Sequence, residues 1–155
     1  MTDEIHIHRE DVSIDATLSR VRAAAGKAQY ELDSMVMTDM VPYMPMITST
    51  FIKLTQARSQ AMAGTGKVCA AAPPYGRFLY YGKTMVDEKT GSTWARAGAK
   101  KVVVSKYKGA KPTRAKEDLS YTTTFNPKVE AEWFEAAKKV NKTKWLRNAA
   151  KLFKR

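Results

Sequence analysis

The run Pro73-Pro74-Tyr75-Gly76-Arg77-Phe78-Leu79-Tyr80-Tyr81-Gly82-Lys83 puts two prolines, two glycines and four aromatic rings into one short segment. No solvated linker is written this way. Each proline fixes φ, removes a backbone donor and drives the residue before it to extended geometry, so a strand over the preceding apolar run is expected to stop here. Phe78, Tyr80 and Tyr81 offer the amphipathic area that fills a core or a protein interface, and Gly82 ends the run.

Residues 13–41, ahead of this run, read as one long helix. Ile14, Leu18, Val21, Ala25, Ala28, Leu32 and Met35 recur at alternating steps of four and three, which aligns them in one apolar seam. Asp11 or Ser13 can cap the start, Asp15 suits the N-terminal dipole, and Pro42 stops the helix. Ala23, Ala24, Ala25, Gly26 and Ala28 allow another element to approach closely, with Gly26 costing about 1 kcal/mol relative to alanine. The seam calls for a partner surface. Packing on the chain's own core is the simplest one, since a repeat ending at Asp39 is short for a coiled coil.

Residues 1–12 form a polar arm in which His6 and His8 alternate with Ile5 and Ile7. A metal site there would need further ligands, such as Glu4 or Glu10, in suitable geometry. After the helix, Pro42-Tyr43-Met44-Pro45 forces an extended or turning link. The β-branched run Thr50–Arg58, the Gly64-Thr65-Gly66 turn and the run Lys67–Ala72 then read as a β-hairpin ringed by methionines.

Residues 83–125 are a long excursion. It holds the turn cluster Asp87–Ser92, Trp94 as its anchor and the short run Val102-Val103-Val104, which fits a strand or a helix end. A basic stretch from Lys106 to Lys116 follows, then a strand pattern in Leu119, Tyr121, Thr123 and Phe125. Loops of this length are seldom idle, and in an assembly this one would grip a neighbour. Residues 126–155 close the chain as a helical segment, with Asn126 as cap and Pro127 in the first turn. Val129, Trp133, Ala136, Ala137 and Val140 form its apolar face, and Asn141-Lys142-Thr143 is a candidate break. Beyond it, the basic amphipathic stretch Lys144–Phe153 suits a membrane surface, a partner groove, a phosphate backbone or the chain's own core.

The chain's 155 residues suit a single α+β domain with a modest core. A net charge of +12 favours a polyanion or an acidic protein surface as partner. The charge is uneven: acids outnumber bases up to Met40, and lysines crowd the chain after Gly98. Such polarity suits head-to-tail or ring contact, and two differently solvated faces would produce it equally. Cys69 is the sole cysteine, so no internal disulfide forms, and its apolar surroundings point to an inert thiol. No run approaches the roughly 18 apolar residues of a membrane span, and Asp3 and Glu4 do not fit a signal peptide. There is no phosphate-binding glycine loop, nucleophile elbow or ligand-spaced His/Cys cluster, so no enzyme, cofactor or metal is expected.

The segment from Pro74 to Lys83, followed by Met85-Val86-Asp87, Thr90-Gly91-Ser92, Trp94-Ala95-Arg96 and Gly98-Ala99-Lys100-Lys101, resembles the signature of the phage minor capsid proteins. These are components of the neck between head and tail in long-tailed bacteriophages and prophages. Asp39-Met40-Val41-Pro42-Tyr43-Met44-Pro45 resembles the family's first motif, and Asn126-Pro127, Trp133 to Lys138 and Trp145 its last. The chain departs from the pattern at Ser49, where a glycine usually follows Thr48, and at Gly76, where alanine is usual and where glycine weakens a helix starting at Tyr75.

The resemblance implies a small antiparallel β-sheet packed by a long N-terminal helix and a C-terminal helix, with a long inserted loop. It also implies a structural virion protein, assembled in the host cytoplasm as a six-fold or twelve-fold ring around the DNA channel. Its neighbours would be portal, adaptor or head-closure proteins on one side and tail terminator or tail-tube proteins on the other, with packaged double-stranded DNA in the lumen and no membrane. On this reading Pro42, Tyr43, Pro45, Pro74, Tyr75, Arg77, Phe78, Tyr80, Tyr81, Gly82, Trp94, Trp133 and Phe134 pack the core or a subunit interface. Lys100, Lys101, Lys106, Lys108, Lys111, Arg114 and Lys116 would face DNA or an acidic partner. The alternative is a non-specific basic nucleic-acid-binding protein, which would hold duplex DNA with a steep salt dependence. A metal-dependent nuclease has almost no support in the residues.

Overall fold

The computed structural model of the chain describes residues 14–94, 96–110 and 117–153. The arm at residues 1–12, the cap candidates Asp11 and Ser13, and Lys111, Arg114 and Lys116 lie outside them. The fold is α+β, with long helices toward both ends and a small antiparallel sheet. Helix α1 spans Ile14–Met40, α2 Thr50–Met62, α3 Gly76–Tyr81 and α4 Trp133–Phe153; strand β1 is Met85–Asp87 and β2 is Lys101–Val103.

Helices α1 and α4 pack antiparallel. Asp39 fixes their register by accepting hydrogen bonds from Lys144 Nζ (2.7 Å) and Trp145 Nε1 (2.7 Å), and a turn away Asn148 Nδ2 donates to Met35 Sδ at 3.3 Å. Between them lie Val36, Met37, Met40, Met44, Ile52, Trp133, Ala137 and Trp145. Trp133, fully buried, is the hub: its indole N–H donates to the Ala70 carbonyl at 2.7 Å. Tyr80 meets its ring edge-on at 4.9 Å and Phe51 at 6.0 Å. Such ring pairs each add about 0.5–1.5 kcal/mol beyond the area they bury.

The apolar seam of α1 is buried over only part of its length. Ala28 is 2% exposed and Leu32 and Met35 pack against the core, whereas Leu18 and Val21 are 43% and 56% exposed. The core takes up the C-terminal half of the helix.

The β-hairpin expected at 50–72 does not form. Thr50–Met62 is α2, with Ile52, Thr55 and Ser59 buried at steps of three and four, a helical period. The β-branched start is outweighed by the run Gln56 to Met62, rich in good helix formers. The Thr48-Ser49 link needs no glycine either. Ser49 sits in the helical basin (φ −68°, ψ −7°), and its carbonyl accepts from Lys53 N at 2.9 Å.

Lys67–Ala72 is irregular, so no strand precedes Pro73. Its buried backbone still needs partners, and α2 side chains supply them. Ser59 Oγ accepts from Cys69 N (2.9 Å) and donates to Cys69 O (3.1 Å), while Thr55 Oγ1 accepts from Ala72 N (3.2 Å). Buried Asp33 of α1 holds the turn between, its Oδ2 accepting from Gly64 N (2.8 Å) and Gly66 N (3.1 Å) and its Oδ1 from Gln29 Nε2 (2.7 Å).

The sheet lies inside the excursion. β1 and β2 pair antiparallel in the register Met85↔Val103, Val86↔Val102, Asp87↔Lys101. The expected strand at 119–125 is absent. Among the described residues, backbone pairing there is confined to its first residue and the two before it: Leu119 N donates to Gly82 O (2.8 Å), Thr84 N donates to Glu117 O (3.0 Å) and Lys83 bridges to Asp118.

The C-terminal helix also starts later than expected. Asn126-Pro127 forms a turn, and Asn126 Nδ2 donates to the carbonyls of Val41 (3.0 Å) and Met44 (2.7 Å), tying the excursion's end to the chain after α1. Glu132, at φ +52°, precedes the first turn of α4. The helix then runs unbroken through Asn141-Lys142-Thr143, with Asn141 Nδ2 donating to Ala137 O at 3.0 Å. Val140, 70% exposed, is off its buried face, and Val129 precedes the helix.

Candidate interaction surface

The Pro73–Lys83 run folds as a proline turn followed by α3. Gly76 does not spoil that helix, because the fold demands it: a Cβ there would lie 2.7 Å from the Ala71 carbonyl carbon. Gly82 ends the helix at φ +63°, a left-handed conformation that favours glycine, while Gly82 N donates to Leu79 O (3.2 Å) and Lys83 N to Phe78 O (3.1 Å). The Tyr121 hydroxyl donates to Leu79 O from the far end of the excursion, and burial raises its pKa above the ordinary value.

Alternate sides of α3 do different work. Tyr80 turns inward onto Trp133, and burial first, then the carboxylates of Glu135 and Glu132, hold its hydroxyl pKa above the usual range. Arg77, Phe78 and Tyr81 turn outward and form, with Lys83, Met85, Lys101, Val102, Val103 and Lys106, a groove of about 440 Å³ between α3 and the β-ribbon. Its floor is apolar and its rim cationic.

The four rim cations are not equivalent. Lys83 Nζ is paired with Asp118 Oδ1 at 2.5 Å, which raises its pKa chiefly through that hydrogen bond. Lys101 Nζ donates to Thr93 O at 3.2 Å. Arg77 and Lys106 have no carboxylate partner among the described residues, so their charge faces outward uncompensated.

The turn beside the groove is built on Asp87. Its Oδ1 accepts from Lys89 N (2.8 Å) and Thr90 N (3.1 Å), and these bonds, with Arg96 Nε 3.6 Å from Oδ2, hold the carboxyl below its ordinary pKa. Gly91 (φ +68°) closes the turn beneath the Tyr107 ring, where a Cβ would come within 2.7 Å of Cε1. The expected turn cluster forms, but Trp94 does not anchor it: that side chain is 88% exposed.

Five residues singled out from the sequence meet at the groove: Arg77, Phe78, Tyr81, Lys101 and Lys106. Tyr80, Gly82, Trp133 and Phe134 belong to the body, where Phe134 stacks on Trp145 at 6.4 Å under Lys138. Tyr43 and Pro45 are half-buried beyond α1, while Pro42, Pro74 and Tyr75 are exposed. Lys100 pairs with Glu88 at 2.9 Å and Lys108 is exposed. Lys83 and Met85 were not singled out as site residues, although both lie within the motif residues that carry the family resemblance.

Among the described residues no three His, Cys, Asp or Glu side chains group to hold a metal ion, and no helix is long and apolar enough to cross a membrane. Comparison with protein-family models, curated proteins and solved structures finds no match to this chain.

Proposed function

We propose that this chain is a structural protein of the phage neck, self-associating as a ring between the head and the tail, and that it works by binding rather than by catalysis. The observation that carries the reading is the apolar and aromatic surface left uncovered: Leu18, Val21, Tyr75, Tyr81, Trp94 and Leu146 are all more than two-fifths exposed. Scattered exposure is ordinary, but Leu18 and Val21 prolong a seam that is buried further along the same helix. Aromatic residues and arginine are the types enriched in protein interfaces, and the outward side of α3 carries both.

In this role the motif residues divide the labour. Tyr80, Gly82 and Trp133 hold α3 against the body, and Arg77, Phe78 and Tyr81 present the groove to an acidic neighbour. The test is the mass of the purified protein in solution, alone and then mixed with portal-side or tail-tube neighbours. A ring-sized species is the expected outcome. A persistent monomer in every mixture would overturn the reading.

The uncompensated Arg77 and Lys106 favour a second reading, a non-specific nucleic-acid binder. If about four phosphates were contacted at the groove, duplex binding would weaken with a log–log salt slope of about −3 to −4. Salt-insensitive or absent binding excludes that reading.

A further inference from the structure

One wall of the groove between α3 and the β-ribbon is backbone. Lys101, Val102 and Val103 all line it, although successive strand residues point to opposite faces, so the groove runs along the edge of β2. The ladder fixes which groups that edge presents. Glu88 N donates to Lys100 O (3.0 Å) and Val104 N to Thr84 O (3.1 Å), so the hydrogen-bonded pairs are Thr84 with Val104, Val86 with Val102 and Glu88 with Lys100. Lys101 and Val103 therefore turn their N–H groups away from β1, and neither group has a partner among the described residues. The outer edge of β1 is different, since there Asp87 N donates to Ser92 O at 2.8 Å.

An open strand edge beside a helix is the setting in which an extended peptide adds as a further strand, its backbone bonding to the edge and its alternate side chains entering the groove. The side chains here select among extended chains. Phe78, Met85, Val102 and Val103 are half-buried and make an apolar floor, while Tyr81, 52% exposed, is held edge-on to Tyr80 with ring centres 5.2 Å apart. Arg77 and Lys106 stand exposed at the rim with no carboxylate partner among the described residues, so a complementary occupant carries acids. The floor favours a peptide over a phosphate backbone, which would meet the cations and bring nothing apolar to bury.

We infer that the groove takes an extended segment of a partner protein, with acidic and apolar residues in alternation, as a third strand beside β2. Carbonyls of the segment accept from Lys101 N and Val103 N, its apolar side chains cover the floor, and its carboxylates meet Arg77 and Lys106. The inference rests on the proposed docking of an acidic neighbour at this groove and names the shape and chemistry of what that neighbour inserts.

The probe is a short synthetic peptide with blocked ends that alternates aspartate with valine, titrated by calorimetry into the full-length protein and into the variant Arg77→Glu/Lys106→Glu. Both substituted side chains are exposed, and circular dichroism checks that the variant folds. The wild type should bind the peptide, the variant should bind it at least about tenfold more weakly, and a peptide with lysine in place of aspartate should not bind. Strand addition has its own readout on the wild-type protein. Methylating the amides of all the valines, or of all the aspartates, blocks one edge of the peptide or the other, so one methylated peptide should lose binding and the other keep it. An aspartate peptide that does not bind, a folded variant that binds it as well as the wild type does, or two methylated peptides of equal affinity would each overturn the inference. Duplex DNA that binds the wild type more tightly than the peptide and loses its hold on the variant overturns it in favour of the nucleic-acid reading. A ring-sized species formed by a protein that ignores the peptide overturns the inference and leaves the neck reading standing, whereas a protein that takes the peptide but stays monomeric in every mixture does the reverse.

Discussion

The helical body and the excursion at 83–125 are stabilised by different means. The body is held by burial: Trp133, Met40 and Met44 are nearly or wholly inaccessible, and aromatic rings interlock around the first of them. Among its described residues the excursion buries little beyond Val86, Val104 and Asp87, and it is shaped by hydrogen bonds around one carboxylate and by a glycine under a tyrosine ring. Burial resists change in proportion to volume, whereas a hydrogen-bonded turn depends on single atoms. The two regions should therefore fail under different perturbations.

The largest effect is expected in the body. Trp133→Ala removes the hub and strands the Ala70 carbonyl, and denaturant unfolding should show a loss of about 3–5 kcal/mol. A loss confined to the excursion would break the contrast. Asp33→Ala tests the place where the body borrows the excursion's device. Leaving Gly64 and Gly66 N–H groups without their acceptor should cost about 1–3 kcal/mol by the same measurement.

Acid should loosen the excursion through Asp87. Its folded pKa lies below the ordinary value, so its contribution is fully present above the unfolded pKa and is lost as pH falls through the lower, folded one. Amide exchange at Lys89 and Thr90 should accelerate in that acid window, and Asp87→Asn should flatten the response while leaving the main unfolding midpoint nearly in place. The smallest effect is expected at Lys83→Met. Its ion pair with Asp118 joins two side chains that are 50% and 74% exposed, and such pairs contribute little. A melting temperature within error of the wild type is expected, and a marked drop would show that the groove's rim stabilises the fold.

How much was legible follows from the range of each signal. The seam of α1 and the proline that ends it are local, and the long helix was read nearly to the residue. Thr50–Arg58 misled because β-branched residues at its start imitate a strand, and the helical spacing of Ile52, Thr55 and Ser59 emerges only over a longer window. Asn126-Pro127 has the chemistry of a helix start, yet the Asn126 amide serves two carbonyls more than eighty residues away. No local pattern encodes that. At the groove, Arg77, Phe78 and Tyr81 share one side of a short helix and were visible as a set, whereas Lys101 and Lys106 join them only through the register of the ribbon. Trp94 follows the turn cluster directly and so reads as its anchor, yet the side chain is exposed, because its place in the chain does not say which way it turns.

The pairing of α1 with α4 through Asp39, Lys144 and Trp145 joins residues 105 and 106 positions apart. During synthesis at about 5–20 residues per second, α1 waits roughly 5–20 s for its partner helix to be made. Until then only the chain between α1 and the excursion can shield its inner seam, and Leu18 and Val21 stay more than two-fifths exposed even in the finished fold. Newly made chains crowded on one message would present these seams to one another before any of them is complete, so the interval of greatest stickiness precedes the finished fold.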